Sequence, residues 1–263
     1  MIRARELALE RGGRRVLDGI DFELRAGEFV AVLGPNGVGK TTLLRACAGF
    51  ETPAAGTIDL DGAAIHRLPV ARRARHIAML ASDELLADEL RVRDVVAIGR
   101  FPHRPWWKFS PGEEDERAIA EAIAATHIEE YLDRVFTHLS SGEQQRVWIA
   151  MALAQGAPLL LLDEPTTHLD VRVAHNVLEL LRERTTTGTS VLCVLHDINE
   201  AAAVADRILL LGCGRMLALA PPAEVLASSL LDEAYGIAMH RARTDDGRTI
   251  VVPAHEVGRC HPE

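Results

Sequence analysis

Phe29-Val30-Ala31-Val32-Leu33-Gly34-Pro35-Asn36-Gly37-Val38-Gly39-Lys40-Thr41-Thr42 is an apolar run that breaks into a glycine-rich loop. The run Phe29 to Leu33 reads as a buried strand, and Thr41 to Ala48 behind the loop reads as a helix. The loop fits G-x-x-x-x-G-K-S/T without a mismatch, in the strand–loop–helix setting that makes such a match a phosphate site. Gly34, Gly37 and Gly39 let backbone N–H groups turn onto a polyphosphate, and the helix start adds partial positive charge. Pro35 and Asn36 belong to the same cradle, with Thr42 on the first helical turn. Lys40 reaches the β- and γ-phosphates, and the Thr41 hydroxyl is placed to ligate Mg²⁺. An ordinary glycine turn accounts for Gly34 or Gly39 alone, but not for both with Lys-Thr attached. The loop predicts a nucleoside triphosphate as ligand.

Around this loop, 263 residues suffice for one sizeable core with a smaller subdomain. The net charge of −9 argues against a nucleic-acid partner, which calls for a basic face. Basic residues are 27 Arg against 2 Lys, so a lysine kept at position 40 fits the compact point charge a phosphate loop uses. Cys47, Cys193, Cys213 and Cys260 have no C-x-x-C spacing, which fits a reducing compartment. No charged-then-apolar leader follows Met1 and no apolar run approaches about 18 residues, so the expectation is a chain neither secreted nor membrane-spanning.

Further along, Leu7-Ala8-Leu9 and Ile20 to Leu24 flank Gly12-Gly13 and predict an antiparallel strand pair over the core. Gly56 to Leu60 predicts a strand into a tight Asp61-Gly62 turn, and Ile77 to Leu80 another strand. From residue 84 to about 155 the pattern turns helical, as in Glu113 to Thr126 and Glu143 to Gln155. Alternation then resumes with strands Leu159-Leu162, Val191-Leu195 and Ile208-Leu211 between helices Val171-Arg184 and Ile198-Ala205. Strands alternating with helices imply a mainly parallel sheet covered on both faces, an α/β fold. The expected organisation is a core of residues 1–83 plus 156–235, a helical subdomain over about 84–155, and a C-terminal extension over 236–263. Toward the C-terminus a helix near Glu224-Tyr235 and a hairpin around Asp245-Asp246-Gly247 are expected, without a readable role.

Leu159 to Leu162 ends in Asp163-Glu164. Ligands of parallel sheets sit beyond the C-terminal strand ends, so both acids face the phosphate-loop crevice. Asp163 suits a role in holding Mg²⁺, and Glu164 that of a general base positioning the attacking water. Leu139-Ser140-Ser141-Gly142-Glu143-Gln144-Gln145-Arg146 contains an S-x-x-E capping box, Ser140 to Glu143, opening a helix. A serine hydroxyl, the Gly142 N–H and a helix start form a second anion site that lacks a lysine.

This segment resembles the LSGGQ signature of ATP-binding-cassette (ABC) ATPases, with Ser141 for the first Gly and Glu143 for Gln. The resemblance covers about residues 3–225 and implies a P-loop NTPase core carrying an inserted helical signature subdomain. It implies that Ser140, Ser141, Gly142 and Glu143 close over ATP held by a second copy in a head-to-tail dimer. By the same resemblance Thr167-His168-Leu169-Asp170 is the D-loop, with Asp170 touching the partner subunit, and His196 is the switch histidine that reads the γ-phosphate.

Two positions depart from the family pattern. The glutamine expected between sheet and helical insertion falls on Ser82, and Gln144, Gln145 and Gln155 are the only glutamines in the chain. A Ser82 hydroxyl, or Asp83 or Glu84, is the available Mg²⁺ ligand there, so ATP binding is expected intact with hydrolysis or its coupling altered. The aromatic residue that stacks on adenine aligns with Arg11, beside Val16. A guanidinium plane can take that stacking role, and a solvated turn arginine is the alternative.

Ile98-Gly99-Arg100-Phe101-Pro102-His103, Glu164 to Asp170, Val194 to Asn199 and Ala223 to Leu226 with Tyr235-Gly236 resemble ATPases of iron-siderophore, haem and vitamin B12 importers. The resemblance implies a peripheral subunit on the cytoplasmic face of a bacterial inner membrane, powering an integral-membrane permease served by a substrate-binding protein. A ferric siderophore is the expected cargo, ahead of haem or cobalamin. Trp106-Trp107 is either a docking surface for the permease or core packing. A nucleotide-gated cassette with low turnover, and a soluble non-transport ABC ATPase, are the competing functions.

Overall fold

The computed structural model describes residues 1–81, 89–104 and 110–254. The chain opens with β1 (Ile2–Arg11), β2 (Arg14–Leu24), β3 (Phe29–Leu33), α1 (Lys40–Cys47), β4 (Ala55–Leu60) and β5 (Ala63–Ala64). It continues with α2 (Val70–His76), β6 (Ile77–Leu80), α3 (Val92–Ile98), α4 (Glu113–Thr126) and α5 (Ser141–Ala154). Next come β7 (Leu159–Asp163), α6 (Val171–Thr186), β8 (Ser190–Val194), α7 (Ile198–Val204), β9 (Arg207–Gly212) and β10 (Arg215–Ala220). The last elements are α8 (Pro222–Ala227), α9 (Leu230–Tyr235), β11 (Met239–Arg243) and β12 (Thr249–Pro253).

The central sheet has the order β10-β9-β3-β8-β7-β6. All neighbours in it are parallel except the antiparallel edge strand β10. Strands β3, β7 and β8 are buried at every position, and almost all of those positions are apolar, because both faces are covered. Phe29, Ala31 and Leu33 pack with Leu160, Leu162, Val191 and Cys193 on the side of α5 and α6. Val30 and Val32 face the other way, packing with Leu159, Leu161, Leu192 and Leu43 of α1. Each fully buried Leu or Val contributes about 1.5–3 kcal/mol on removal from water, so these strands form the stable floor of the site.

The expected N-terminal strand pair is present and larger than foreseen, as a four-stranded antiparallel sheet ordered β2-β1-β4-β5. It covers α1, and Leu7, Leu9, Leu17 and Ile20 share that second core. The helices between β6 and β7 pack around α5, whose Trp148 meets Phe136 edge-on at 5.1 Å. One expectation is corrected: the helix over Glu224–Tyr235 is two helices. Ser228 is extended (φ −81°, ψ 159°), and its hydroxyl donates to the Val225 carbonyl at 2.8 Å and accepts the Leu230 N–H at 3.3 Å. A serine side chain that replaces helical backbone bonds in this way ends the helix. The hairpin expected around Asp245–Gly247 forms as β11 and β12, with Gly247 at φ 84°.

Candidate active site

Three strand ends converge in register. Val32 of β3 stands opposite Val194 of β8, and Asp163 of β7 stands opposite the same Val194. The phosphate loop leaves β3 here, Glu164 follows β7, and His196 follows β8 by two residues. The crevice beyond the carboxyl ends of parallel strands is therefore filled with chemistry-bearing side chains. A cleft of about 280 Å³ is lined by Arg11, Val16, Asn36, Gly37, Gly39, Lys40, Thr41, Thr42, Glu164 and His196. All ten were singled out from the sequence.

The loop takes its shape from two glycines. Gly34 has φ 149°, and a Cβ there would lie 2.5 Å from the Leu211 carbonyl oxygen. Gly39 has φ 110° at the start of α1, where a Cβ would meet Leu17 at 2.9 Å. Close approach to β9 and β2 thus fixes the loop from beneath, and any side chain at either position displaces it. Lys40 is 5% exposed, and its ammonium donates to the Gly34 carbonyl at 2.8 Å and the Pro35 carbonyl at 3.2 Å. Burial lowers its pKa, while Glu164 and Asp163 act the other way. The loop carbonyls hold the cation in place beside the phosphate cradle.

Asp163 lies beneath the cleft at 2% exposure, and both its carboxylate oxygens are buried without a hydrogen-bond partner. Burial raises its pKa; the nearby Thr41 hydroxyl and Lys40 oppose the shift, and the Glu164 charge adds to it. Unpartnered buried carboxylate oxygens are rare and call for a ligand. Glu164 adopts the left-handed region at φ 55°, a conformation that costs about 1–3 kcal/mol and clusters at functional sites. Its N–H bonds the Val194 carbonyl at 3.2 Å, its carbonyl accepts from Thr167 at 3.2 Å, and its Oε1 lies 2.7 Å from His196 Nε2.

The remaining predicted residues lie elsewhere. Ser140 opens α5 and closes a reciprocal capping box: its N–H reaches Glu143 at 2.7 Å, its hydroxyl donates to Glu143 at 2.8 Å, and it accepts the Glu143 N–H at 3.4 Å. Those two Ser140 donors hold the Glu143 carboxyl below the usual carboxylate range. Ser140, Ser141, Gly142 and Glu143 are not part of the cleft lining. Gly142 faces the His168 carbonyl, and the Gln145 amide donates to the Pro165 carbonyl at 3.0 Å, fastening this helix start to the turn after Glu164. Asp170 caps α6 by accepting the Val173 N–H at 2.9 Å. Ser82, with Asp83 and Glu84, lies outside the described residues, and so does Trp106-Trp107. Gln145 was overlooked, although its place behind the S-x-x-E box marked it as a candidate link.

Fold and cleft together define a phosphate-loop nucleotide-binding protein with helices inserted between β6 and β7. The sequence profile of the ABC transporter family matches residues 17–167. The chain belongs to that family, as an ATP-binding cassette that hydrolyses ATP. It is 46% identical over 229 residues to the hemin import ATP-binding protein HmuV of Streptomyces coelicolor, covering 87% of this chain and 81% of the relative. It is 38% identical to the ferric enterobactin transport ATP-binding protein FepC of Escherichia coli, covering 99% and 96%. Among solved structures, an inward-facing ABC transporter assigned to the metal-chelate type superposes with a TM-score of 0.83 at 26% identity, covering 97% and 98%. A dimeric bacterial ABC transporter cassette superposes with a TM-score of 0.76 at 27% identity, covering 84% and 99%.

Proposed function

We propose that this chain is the ATP-hydrolysing subunit of an importer that takes up iron in chelated form, as haem or a ferric siderophore, through a separate permease. The observation that carries the reading is the single cleft in which Lys40, Thr41, Glu164 and His196 meet. Relatives named for hemin, ferric enterobactin and petrobactin supply the cargo class, and a chelated metal is what those names share.

Lys40 and the loop N–H groups grip the phosphates, Glu164 orients the attacking water and takes its proton, and His196 contacts the γ-phosphate. Arg11 and Val16 form the adenine end of the cleft. The unpartnered oxygens of Asp163 beside the Thr41 hydroxyl make a hard oxygen donor set that suits Mg²⁺. Thr41 and Asp163 would hold that ion, with Ser82 as a further candidate ligand, and when bound it neutralises charge on the phosphates. Ser140 to Glu143 do not line their own chain's cleft, which supports a head-to-tail dimer where each copy completes the other's site. Asp170 sits at that interface in this reading. A γ-phosphate bridging two copies is the differential contact that a ligand-driven closure requires.

Among the described residues no helix is long and apolar enough to cross a membrane. The subunit works on the cytoplasmic face of the cell membrane through its permease, with a substrate-binding protein delivering cargo from the other side. Co-expression with a permease from the same organism and reconstitution into vesicles tests this reading. The expected result is ATP-dependent accumulation of an iron chelate; ATP hydrolysis in the complex without uptake of haem or ferric siderophores would overturn it.

A further inference from the structure

The last described elements of the chain close on the helix that follows His196. Asn199, in the first turn of α7, donates from Nδ2 to the Val251 carbonyl at 3.0 Å and accepts the Val251 N–H on Oδ1 at 2.9 Å. Val251 pairs with Arg241 across the β11–β12 ladder, so the carboxamide stands where the backbone of a third strand would. It closes the free edge of β12 with one donor and one acceptor. Val251 is 3% exposed, which keeps water away from this contact. The hairpin is fastened at its other end as well. Asp232 of α9 accepts the Met239 N–H at 2.7 Å, and Arg241 donates to the Leu226 carbonyl at 2.9 Å and pairs with Asp232.

Asn199 is linked to the catalytic turn over a very short span. Asp197 caps α7 by accepting the N–H groups of Asn199 at 2.7 Å and Glu200 at 3.0 Å. The Leu195 N–H bonds the Val32 carbonyl at 3.2 Å. The turn carrying His196 is therefore held by the central sheet on one side and by the hairpin, through Asn199, on the other. The same C-terminal module reaches the phosphate loop: the buried Tyr235 hydroxyl of α9 lies beside the Gly34 backbone without closing a hydrogen bond.

We propose that Asn199 is a positioning residue for hydrolysis, and that the β11–β12 hairpin is a brace holding the His196 turn against Glu164. The inference rests on the reading of the cleft as an ATPase site. It gives residues 239–253 a role in turnover, although none of them lines the cleft.

The test uses the full chain with Asn199→Ala, Asn199→Asp and Val251→Pro. Asn199→Asp keeps the acceptor and loses the donor. Val251→Pro removes the N–H that points at Asn199 and exchanges one buried apolar side chain for another; proline is tolerated on a strand edge, so it serves if Asn199→Ala fails to fold. The readouts are steady-state phosphate release against ATP concentration, and hydrogen exchange of peptides covering residues 195–204 and 34–47. Asn199→Ala and Val251→Pro are expected to lower kcat about threefold to tenfold, with KM for ATP held within about twofold. Exchange should rise at 195–204 and stay unchanged at 34–47, with Asn199→Asp in between. The double variant should lose less than the two single losses combined, because both act on one contact. Unchanged exchange at 195–204 in both variants would overturn the brace, as would a fall in kcat accompanied by equal loosening of 34–47. A wild-type chain without ATP hydrolysis would refute the ATPase reading, while the exchange comparison would still decide the brace.

Discussion

His196 Nε2 and Glu164 Oε1 lie 2.7 Å apart, although they come from different strands of the sheet. The contact is built by register: Asp163 pairs with Val194, and the Glu164 N–H then bonds the Val194 carbonyl, so the two strand ends leave the sheet together. The positive φ of Glu164 turns its side chain toward the phosphate loop, and the neighbouring strand pays for that strain by holding the backbone. A carboxylate and an imidazole placed this way on a rigid floor need little rearrangement to engage a bound triphosphate.

Replacing Glu164 by Gln keeps the shape of that wall and removes the proposed base. Phosphate release is expected to fall by about 10²-fold or more, the usual worth of a positioned base. ATP affinity, followed with a fluorescent analogue, should stay within about threefold, because Lys40 and the loop amides are untouched. Turnover close to the wild-type rate would remove Glu164 from the base role.

Arg11 sits at the β1–β2 turn, paired across it with Arg14, and lines the same cleft as Glu164 and His196. A guanidinium stacked on adenine contributes about 0.5–1 kcal/mol at an exposed site, so Arg11→Ala should weaken ATP binding about twofold to fivefold. Arg11→Tyr should restore it. Titration of ATP against a nucleotide lacking the base separates stacking from charge: a purely electrostatic Arg11 would weaken both ligands equally.

Arg100 is 4% exposed and donates to Asp115 at 2.8 Å and to the Ala154 carbonyl at 3.0 Å, joining the end of α3 to the start of α4 and the end of α5. Burial alone would raise the Asp115 carboxyl, but the Gly112 N–H and Arg100 outweigh it and hold its pKa below the ordinary value. The unfolded value is about 3.9, so this stabilisation is complete above it and is lost as pH falls through the lower folded value. Asp115→Asn should cost roughly 2 kcal/mol at neutral pH, under the about 3–5 kcal/mol of a sealed pair, because the side chain keeps 11% exposure. Its melting temperature should also decline less than that of the wild type below about pH 4. Parallel acid limbs in the two proteins would contradict the assignment.

The central strands were legible because burial on both faces leaves no polar position in Phe29–Leu33 or Leu159–Leu162, and the loop between strand and helix has a sequence rule of its own. Seven of the ten cleft residues follow once those strand ends are aligned, while Arg11, Val16 and His196 were placed by the family resemblance. The break at Ser228 was not legible, since an apolar helical pattern runs through it and only a side-chain hydrogen bond decides the issue. Asn199 escaped for a related reason. Its partner is a backbone segment 52 residues away, and no spacing rule anticipates a side chain that completes a strand edge.

The eight residues of α1 connect the phosphate site to the opposite surface. Lys40 begins the helix, and Arg45 in its last turn lines a groove of about 240 Å³ with Phe50, Val70, Met79, Pro102 and Gln155. At about 1.5 Å per residue the helix is about 12 Å long, so one short rigid element joins the phosphate loop to the groove. Phe50, Val70 and Phe101 are 63%, 69% and 60% exposed, a concentration of large apolar side chains that a lone soluble surface avoids. Exposed Arg67, Arg72 and Arg75 belong to the same part of the chain, and none makes an ion pair among the described residues. An apolar groove near unpaired arginines suits a permease segment with an apolar anchor and acidic flanks. Phe50→Glu and Val70→Asp each remove an anchor and add a negative charge that repels acidic flanks. Each is expected to weaken permease association about tenfold to hundredfold, the range for losing a central apolar contact. ATP affinity of the isolated subunit should not change, because neither residue lines the nucleotide cleft. Pull-down with tagged permease in detergent measures the first quantity and nucleotide titration the second. Full permease binding by both variants would place the docking surface elsewhere on the molecule.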